Sequence, residues 1–278
     1  HVSRPTFCRW HNATSCSEPH PTMQIQQVQR ADLLDRYEAL ASYLKRWQAD
    51  TYNPENVAVQ AGEKVWLDMN DAAATVLSEE QAESLNAEAR AEFSALRDDL
   101  AFAPDLIEMG TVIGYLPSPD MKAFADQIAT HFAALANGLG WQQFAVMTDV
   151  RRPFLDQEND FEPVRKAESH LLERGFSRSS NDGVECDLEG LLDLLPHLFW
   201  IARCNANAPK LQIAANGARI VLILCYRANI HFCTYKVKEK IWLKKTLASA
   251  GFQIEKDGIC RDRFTANGSI EGRRLDLS

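Results

Sequence analysis

Two apolar, β-rich segments separated by a short break constrain the fold of this chain more than any other feature. Residues 218–226 and 230–235 are rich in aliphatic and aromatic side chains, and the break between them reads Arg227-Ala228-Asn229. A three-residue break that ends in Asn is typical of a β-hairpin whose type I turn closes through a left-handed residue. The sequence therefore predicts an antiparallel hairpin with Asn229 in the left-handed conformation.

This loop assignment predicts the register of the hairpin. With Tyr226 paired to Ile230, Cys225 lies opposite His231 and Ile223 lies opposite Cys233. Side chains alternate between the two faces of a strand, so the hairpin has one mixed face and one apolar face. The mixed face carries Val221, Ile223, Cys225, His231, Cys233 and Tyr235. The apolar face, which we expect to pack against helices, carries Ile220, Leu222, Leu224, Ile230 and Phe232.

Three interpretations of the cysteines and the histidine on the mixed face remain open. A thiolate at Cys225 with His231 as its base is a candidate catalytic pair. Alternatively, Cys225, His231 and Cys233 are candidate metal ligands, with Cys204 or Cys260 as a fourth ligand. The simplest interpretation is that the cysteines are small core residues beside a hydrogen-bonded histidine.

The order of predicted elements divides the chain into three regions. Residues 1–22 show neither helical nor strand periodicity, and we expect a disordered or non-native leader ahead of Met23. Residues 23–140 are mostly helical in pattern. Residues 141–278 alternate strands and helices without long connections between parallel strands in the second half. The sequence thus predicts an α+β fold, with a helical N-terminal half and a mainly antiparallel sheet with packed helices in the C-terminal half.

Several helices are predicted from apolar stripes and end signals. One stripe comprises Leu33, Tyr37, Leu40, Leu44 and Trp47, and another follows a predicted helix start at Ser118-Pro119. Ser78 to Gln81 forms a capping box. Residues 238–250 should be helical, with Gly251-Phe252 as a Schellman stop.

Other signals predict the boundaries of later elements. Pro196 is expected to terminate a Leu-rich helix that Asp187 caps, and residues 199–204 are expected to form a strand. Asp257-Gly258 predicts a type I′ turn between two short strands.

Composition excludes several classes of protein. The longest apolar run, Ile220 to Tyr226, is far shorter than the roughly 20 residues of a membrane span. Seven cysteines without a framework spacing indicate reduced thiols, so we expect a cytoplasmic protein. A net charge of −8 makes nucleic acid an improbable partner.

The C-terminal charge pattern is opposite to that of the whole chain. Residues 236–278 hold ten Lys or Arg against six Asp or Glu, a balance of +4. Five lysines fall within ten residues. The simpler interpretation is a solvated helix face, and the alternative is a set of binding residues for an acidic protein partner or a phosphate. The five lysines are Lys236, Lys238, Lys240, Lys244 and Lys245.

Two weaker clusters could hold a metal ion. Cys8, His11, Cys16 and His20 have a compact spacing, but the ligand order is uncommon. Asp149, Asp156, Glu158 and Asp160 offer oxygen ligands without the glycine turn of a calcium loop. A solvated acidic loop is the simpler interpretation of the second cluster.

No phosphate-cradling glycine loop and no serine-hydrolase elbow occurs in the sequence. We therefore expect a binding or regulatory protein that recognises another macromolecule, without catalysis and without a cofactor. The alternative is a small enzyme or metalloprotein that uses Cys225, His231 and Cys233.

Overall fold

The computed structural model describes residues 23–66, 73–265 and 268–275. Ten strands are present in this part of the chain, and eight of them form one sheet. The strands are β1 (Ile25–Val28), β2 (Lys64–Val65), β3 (Thr75–Val76), β4 (Thr111–Tyr115), β5 (Gln143–Thr148), β6 (Gly183–Asp187), β7 (Leu211–Ala215), β8 (Ile220–Leu224), β9 (Asn229–Thr234) and β10 (Gln253–Ile254). The large sheet has the order β1-β6-β5-β7-β8-β9-β4-β10, and β2 pairs with β3 separately. Each named pairing is antiparallel.

Seven α-helices accompany the strands in the described residues. They are α1 (Arg30–Arg36), α2 (Glu38–Thr51), α3 (Glu79–Leu96), α4 (Met121–Leu139), α5 (Glu162–Glu173), α6 (Leu188–Cys204) and α7 (Val237–Ser249), with a 3-10 turn at Pro54–Asn56. The predicted α+β class with a mainly antiparallel sheet is confirmed. None of the helices that the structure describes is long and apolar enough to cross a membrane.

The two faces of the sheet bury different helices. Apolar residues of α4, α5, α6 and α7 pack on one face in a large cluster that includes Leu222 and Phe232. Leu33, Leu40 and Leu44 of α1 and α2 pack on the other face in a smaller cluster. The predicted stripe of the N-terminal helices is therefore buried except for the half-buried Trp47, and a break at Tyr37 divides it between two helices.

Helix end signals were read correctly at some positions and wrongly at others. Ser78 forms the predicted capping box with Gln81. The helix predicted to start at Ser118-Pro119 instead begins at Met121, because the side chain of Asp120 accepts from the Ala123 amide and caps it.

The prediction that Pro196 ends its helix is wrong, as is the strand predicted over 199–204. Helix α6 continues through Pro196 to Cys204. Proline costs about 3 kcal/mol inside a helix, because it removes one hydrogen bond and crowds the preceding turn. Leu198 and Phe199 are fully buried beyond it, and burial of each such side chain contributes about 1.5–3 kcal/mol. Packing of the apolar stripe outweighs the local cost.

The two predicted regions, residues 23–140 and residues 141–278, both contribute strands to the same sheet. Strand β4 from the first region pairs with β9 from the second, and β1 pairs with β6. The buried residue Val112 of β4 belongs to the same apolar cluster as Phe232 of β9. One core therefore combines segments that lie far apart along the chain.

Helix α7 ends as its sequence predicts. The amide of Phe252 donates to the carbonyl of Leu247 (2.9 Å), and the amide of Gly251 donates to the carbonyl of Ala248 (3.2 Å). Gly251 has a φ of 87°, and Phe252 is buried. These are the two bonds and the apolar contact of a Schellman motif.

Candidate functional site

The β8–β9 hairpin places the first two residues of the site. Its loop is Tyr226-Arg227-Ala228, one residue earlier than predicted, and Ala228 rather than Asn229 has a positive φ of 55°. The amide of Cys225 donates to the carbonyl of Asn229 (3.0 Å), and the amide of Ala228 donates to the carbonyl of Cys225 (2.9 Å). Cys225 therefore faces Asn229 across the hairpin.

The predicted direct pairing of Cys225 with His231 is wrong, because His231 lies opposite Ile223 and Cys233 opposite Val221. The face assignments are nevertheless confirmed. The register differs by two residues, and a shift by an even number returns each side chain to its predicted face. The apolar face packs in the cluster with α4, α6 and α7, whereas Val221, Ile223, Cys233 and Tyr235 pack toward α2.

The third residue of the site, Cys260, arrives from the C-terminal segment. Gly258 has the expected left-handed φ of 72°, but the second strand predicted after it does not form. The segment is instead anchored by Asp262, which forms a largely buried ion pair with Arg203 of α6 (2.9 Å). Near this anchor, Cys260 contacts the hairpin residues Cys225, Asn229 and His231.

The side chains of Cys225, His231 and Cys260 converge at one point. The Sγ atoms of Cys225 and Cys260 are 3.5 Å apart, and Nε2 of His231 lies 3.2 Å from Sγ of Cys260. All three potential ligand atoms lie within 4.8 Å of one another. Nδ2 of Asn229 donates to Sγ of Cys260 at 3.0 Å and to the carbonyl of Arg261 at 2.9 Å.

The two thiols have different acidities because they share one hydrogen bond. Donation from Cys225, followed by the effects of His231 and Asn229, lowers the pKa of Cys260 well below that of a free thiol and outweighs its burial. The bond to Cys260 and burial raise the pKa of Cys225. The hydrogen bonds from Asn229 and Cys225 therefore favour the thiolate form at Cys260 over that at the candidate nucleophile Cys225.

Cys233 and Cys204, which the sequence offered as alternative metal ligands, do not join this cluster of Cys225, His231 and Cys260. Cys233 is buried and its Sγ lies 3.8 Å from the guanidinium of Arg46. Cys204 is also buried, and its thiol donates to the carbonyl of Glu271 (3.6 Å). Burial raises the pKa of each of these two thiols to about 11, as expected for structural cysteines.

The cluster opens onto a pocket of about 630 Å³. Part of its wall is apolar and aromatic, and includes Tyr43, Trp47, Ile223 and Leu224. Its charged lining residues are Arg46, Asp50, Glu108, Lys210, Arg227 and Arg273. A concave site with an apolar wall and a few convergent polar groups is typical of small-molecule binding sites.

The lysines of the C-terminal region lie elsewhere, on and before α7. Lys236, Lys238, Lys244 and Lys245 are exposed. Lys240 is half-buried, and its ammonium donates to the carbonyl of Met109, so it holds the segment before β4. The exposed surface of α7 also carries Val237, Ile241 and Trp242, each more than half exposed.

The acidic cluster does not form a site in the described residues, and the other candidate cluster lies outside them. Asp149 is buried and accepts from the indole of Trp47 (3.1 Å). Asp156, Glu158 and Asp160 form ion pairs with three different arginines. Cys8, His11, Cys16 and His20 lie outside the described residues, as does the whole predicted leader 1–22.

Sequence reasoning named Cys260 only as an optional fourth ligand and missed Asn229, Arg227 and Arg273 as site residues. The sequence signal for Cys260 was the Asp257-Gly258 turn just before it. That turn predicts a hairpin, but the residues after it do not alternate between apolar and polar side chains, and no second strand forms.

Comparison with known proteins identifies no relative, so a functional assignment depends on the geometry of the cluster and its pocket. No family model matches the chain, and neither a curated protein nor a solved structure is significantly similar to it.

Proposed function

We propose that the protein binds a soft divalent metal ion, with zinc as the best fit, through Sγ of Cys225, Nε2 of His231 and Sγ of Cys260. The observation that carries this proposal is the convergence of the three ligand atoms within 4.8 Å. Zinc bonds of about 2.3 Å to sulfur and 2.0–2.1 Å to nitrogen place tetrahedral ligand atoms roughly 3.5–3.8 Å apart. The Sγ–Sγ separation of 3.5 Å and the Nε2–Sγ separation of 3.2 Å are within a few tenths of an ångström of that range.

The surroundings favour a reactive centre over a purely structural one. Structural zinc sites usually have four protein ligands, whereas catalytic sites have three and keep a position for water or substrate. The described residues supply three ligands, and these three also line the pocket. Zinc-bound water is acidified toward neutral pH, so such a site supports hydrolytic or related water-dependent chemistry. Free thiol ligands require a reducing compartment, in keeping with the predicted cytoplasmic location.

A redox-active dithiol is the competing use of the same side chains. The Sγ–Sγ separation of 3.5 Å is longer than the roughly 2.05 Å of a disulfide, but a small movement would close it. His231 distinguishes the two uses, because it is a ligand in the metal site and only a neighbour of a disulfide.

Metal content tests the proposal directly. The full chain, purified under reducing conditions and loaded with zinc, should retain about one ion per chain after desalting. Cobalt substitution should give the visible bands of a tetrahedral ion and thiolate-to-metal charge transfer. Cys260→Ser and His231→Gln should lose both signals. Cys233→Ser is the matched control, since Cys233 shares the hairpin face without joining the cluster, and it should retain both.

Two results would contradict the metal site. One is a wild-type chain that binds no zinc or cobalt above the level of Cys260→Ser. The other is a stable mass decrease of about two hydrogens with loss of free thiols, which would assign the pair to a disulfide.

Recognition of an acidic protein is a second candidate function, supported by the outer surface of α7. Val237, Ile241 and Trp242 are exposed there, and Lys238, Lys244 and Lys245 surround them. Exposed apolar side chains within a charged rim are typical of protein interfaces. The lysines stand on a chain of net charge −8, so an acidic partner with an apolar centre would complement this surface.

Charge reversal on α7 tests the second candidate. Lys244→Glu with Lys245→Glu should leave the melting curve intact and reduce the proteins that co-purify with the full chain at low salt. The control reverses Lys122 and Lys166, which are exposed on α4 and α5. Equal recovery of the same partners from both double variants would show that the α7 lysines form a solvated surface and do not bind an acidic partner.

A further inference from the structure

Three cationic side chains that line the pocket form no direct ion pair with a carboxylate in the described residues. Lys210, Arg227 and Arg273 all belong to its lining. Within the described part of the chain, no ion pair to Asp or Glu involves any of them, whereas Arg46 in the same pocket pairs with Glu108. The charge of Lys210 interacts with the buried carboxylate of Asp149, and Asp50 also lines the pocket. Arg227 and Arg273 still leave an excess of positive charge, which in a concave site attracts ligands of the opposite sign.

Aromatic rings and backbone carbonyls hold these cations in place. The guanidinium carbons of Arg227 and Arg273 lie 5.1 and 4.5 Å from the centroid of the Tyr226 ring. The Nζ atom of Lys210 lies 3.9 Å from the centroid of the Trp47 ring. Cation–π contacts position a charge without neutralising it.

The arginines also retain donors for a ligand. One nitrogen of Arg227 donates to the carbonyl of Cys260 (2.6 Å), and one nitrogen of Arg273 donates to the carbonyl of Arg203. A guanidinium has five N–H donors in a fork that matches the oxygens of a carboxylate or phosphate. Each arginine is thus oriented by its backbone contact and keeps further donors.

The cations line the same pocket as the thiols of the candidate metal site. Arg227 contacts both cysteines, because its backbone amide donates to Sγ of Cys225 (3.5 Å) as well. Lys210 and Arg273 line the pocket that Cys225, His231 and Cys260 also line. A zinc ion with two thiolates and a neutral imidazole has no net charge, so the three cations would remain available to a ligand.

We propose that this pocket binds a small organic molecule that carries an oxyanion group, either a carboxylate or a phosphate monoester. Arg227 and Arg273 hold the oxyanion, and Lys210 attracts it at the side of Trp47. The organic part packs against Tyr43, Trp47 and Ile223 of the pocket wall. This inference deepens the proposed metal site and rests on it for the placement of the ligand beside the ion.

Titration calorimetry on the zinc-loaded full chain tests the proposal with three probes of similar size. Benzoate carries a carboxylate, phenyl phosphate carries a phosphate monoester, and benzyl alcohol is the uncharged control. We expect at least one anion to bind about tenfold more tightly than the alcohol, as for a charge-assisted bidentate contact. The preferred anion identifies which oxyanion the pocket favours.

Single substitutions assign the contacts. Arg227→Gln and Arg273→Gln should each weaken binding of the preferred anion by about tenfold, and Arg273→Lys should restore part of it. Arg165→Gln, at an exposed arginine of α5, is the matched control and should bind as wild type does. Lys210→Gln, at an exposed site, provides a further test should either arginine variant melt early.

The outcomes separate this inference from the metal site. Zinc binding with equal or absent binding of the anions and the alcohol would overturn the anion pocket and leave the metal site intact. Anion binding that depends on Arg227 and Arg273 in a chain that holds no zinc would support the anion pocket and contradict the metal site. Unchanged affinity in the arginine and lysine variants would also overturn the inference.

Discussion

The Sγ atom of Cys260 lies 3.5 Å from that of Cys225, although 35 positions separate the two residues along the chain. His231 approaches Cys260 from β9, so two strand ends and one irregular segment meet at a single point. A ligand that binds only the folded state stabilises it, so the proposed metal site predicts that stability depends on metal.

Removal of metal should therefore lower the melting temperature of the zinc-loaded protein. At a free zinc concentration about 100 times the Kd, binding stabilises the folded state by about 2.7 kcal/mol, and a chelator removes this contribution. Differential scanning calorimetry should show the decrease, and zinc but not magnesium should reverse it. Cys260→Ser should show no response to chelator, and a response equal to that of wild type would argue against these ligands.

Replacing Leu224 with Ala should strongly destabilise the protein. Leu224 lies at the end of β8 on the apolar face of the hairpin, and it is 3% exposed. Truncation of a buried leucine costs about 2–5 kcal/mol because it loses apolar burial and leaves a cavity. Urea unfolding measures the change. Leu275→Ala, at a side chain 64% exposed, is the control and should leave the midpoint nearly unchanged.

The buried ion pair between Arg30 and Asp98 should be sensitive to the loss of either partner. The guanidinium contacts both carboxylate oxygens (2.9 and 2.8 Å) and also donates to Thr148. Asp98→Ala leaves a buried charge without its partner and should cost about 3–5 kcal/mol. A double variant that also carries Arg30→Met should recover part of this loss in urea unfolding. Equal stability of the single variant and wild type would contradict this view of the pair.

Acid should destabilise the contact between α5 and α6. The His170 and His197 rings stack with centroids 3.9 Å apart, and burial followed by the charge of His170 lowers the pKa of His197 to about 4. The unfolded chain, with a histidine pKa near 6.5, binds more protons between pH 6.5 and 4. Stability is therefore complete above pH 6.5 and decreases as the pH falls toward 4.

The size of this acid effect should be about 1–2 kcal/mol, reduced from the full shift because the site is partly solvated. The carboxylate of Asp193 accepts hydrogen bonds from His170 and Arg174, and its pKa is lowered. The stability that Asp193 contributes is therefore lost only below about pH 4, the usual pKa range of an aspartate. Urea midpoints at pH 7, 5.5 and 4.5 measure the trend, with the pH values chosen around the histidine range. His197→Gln should flatten it, whereas His131→Gln should not.

Local patterns sufficed for the parts of the structure that local forces control. The hairpin faces, the Ser78 capping box and the Schellman end of α7 follow from alternation and from end chemistry within a few residues. The α+β class followed from the order of elements and the short connections in the second half.

Long-range packing decided the remainder. Pro196 remains inside α6 because the apolar residues after it are buried against the sheet, a gain that no local propensity contains. Strands β1, β4 and β6 exist through pairing with partners that are remote in sequence. The loop of the hairpin lies one residue earlier than its sequence predicts, because Ala228 and not Asn229 adopts the left-handed conformation.

The candidate site shows the same division. The sequence by itself determined that Cys225 and His231 share the mixed face of one hairpin, because side chains alternate along strands. Only the tertiary structure decided that Cys260 joins them and that Cys233 does not. The buried pair of Arg203 with Asp262 anchors the C-terminal segment near the hairpin, and such a contact depends on where distant elements pack.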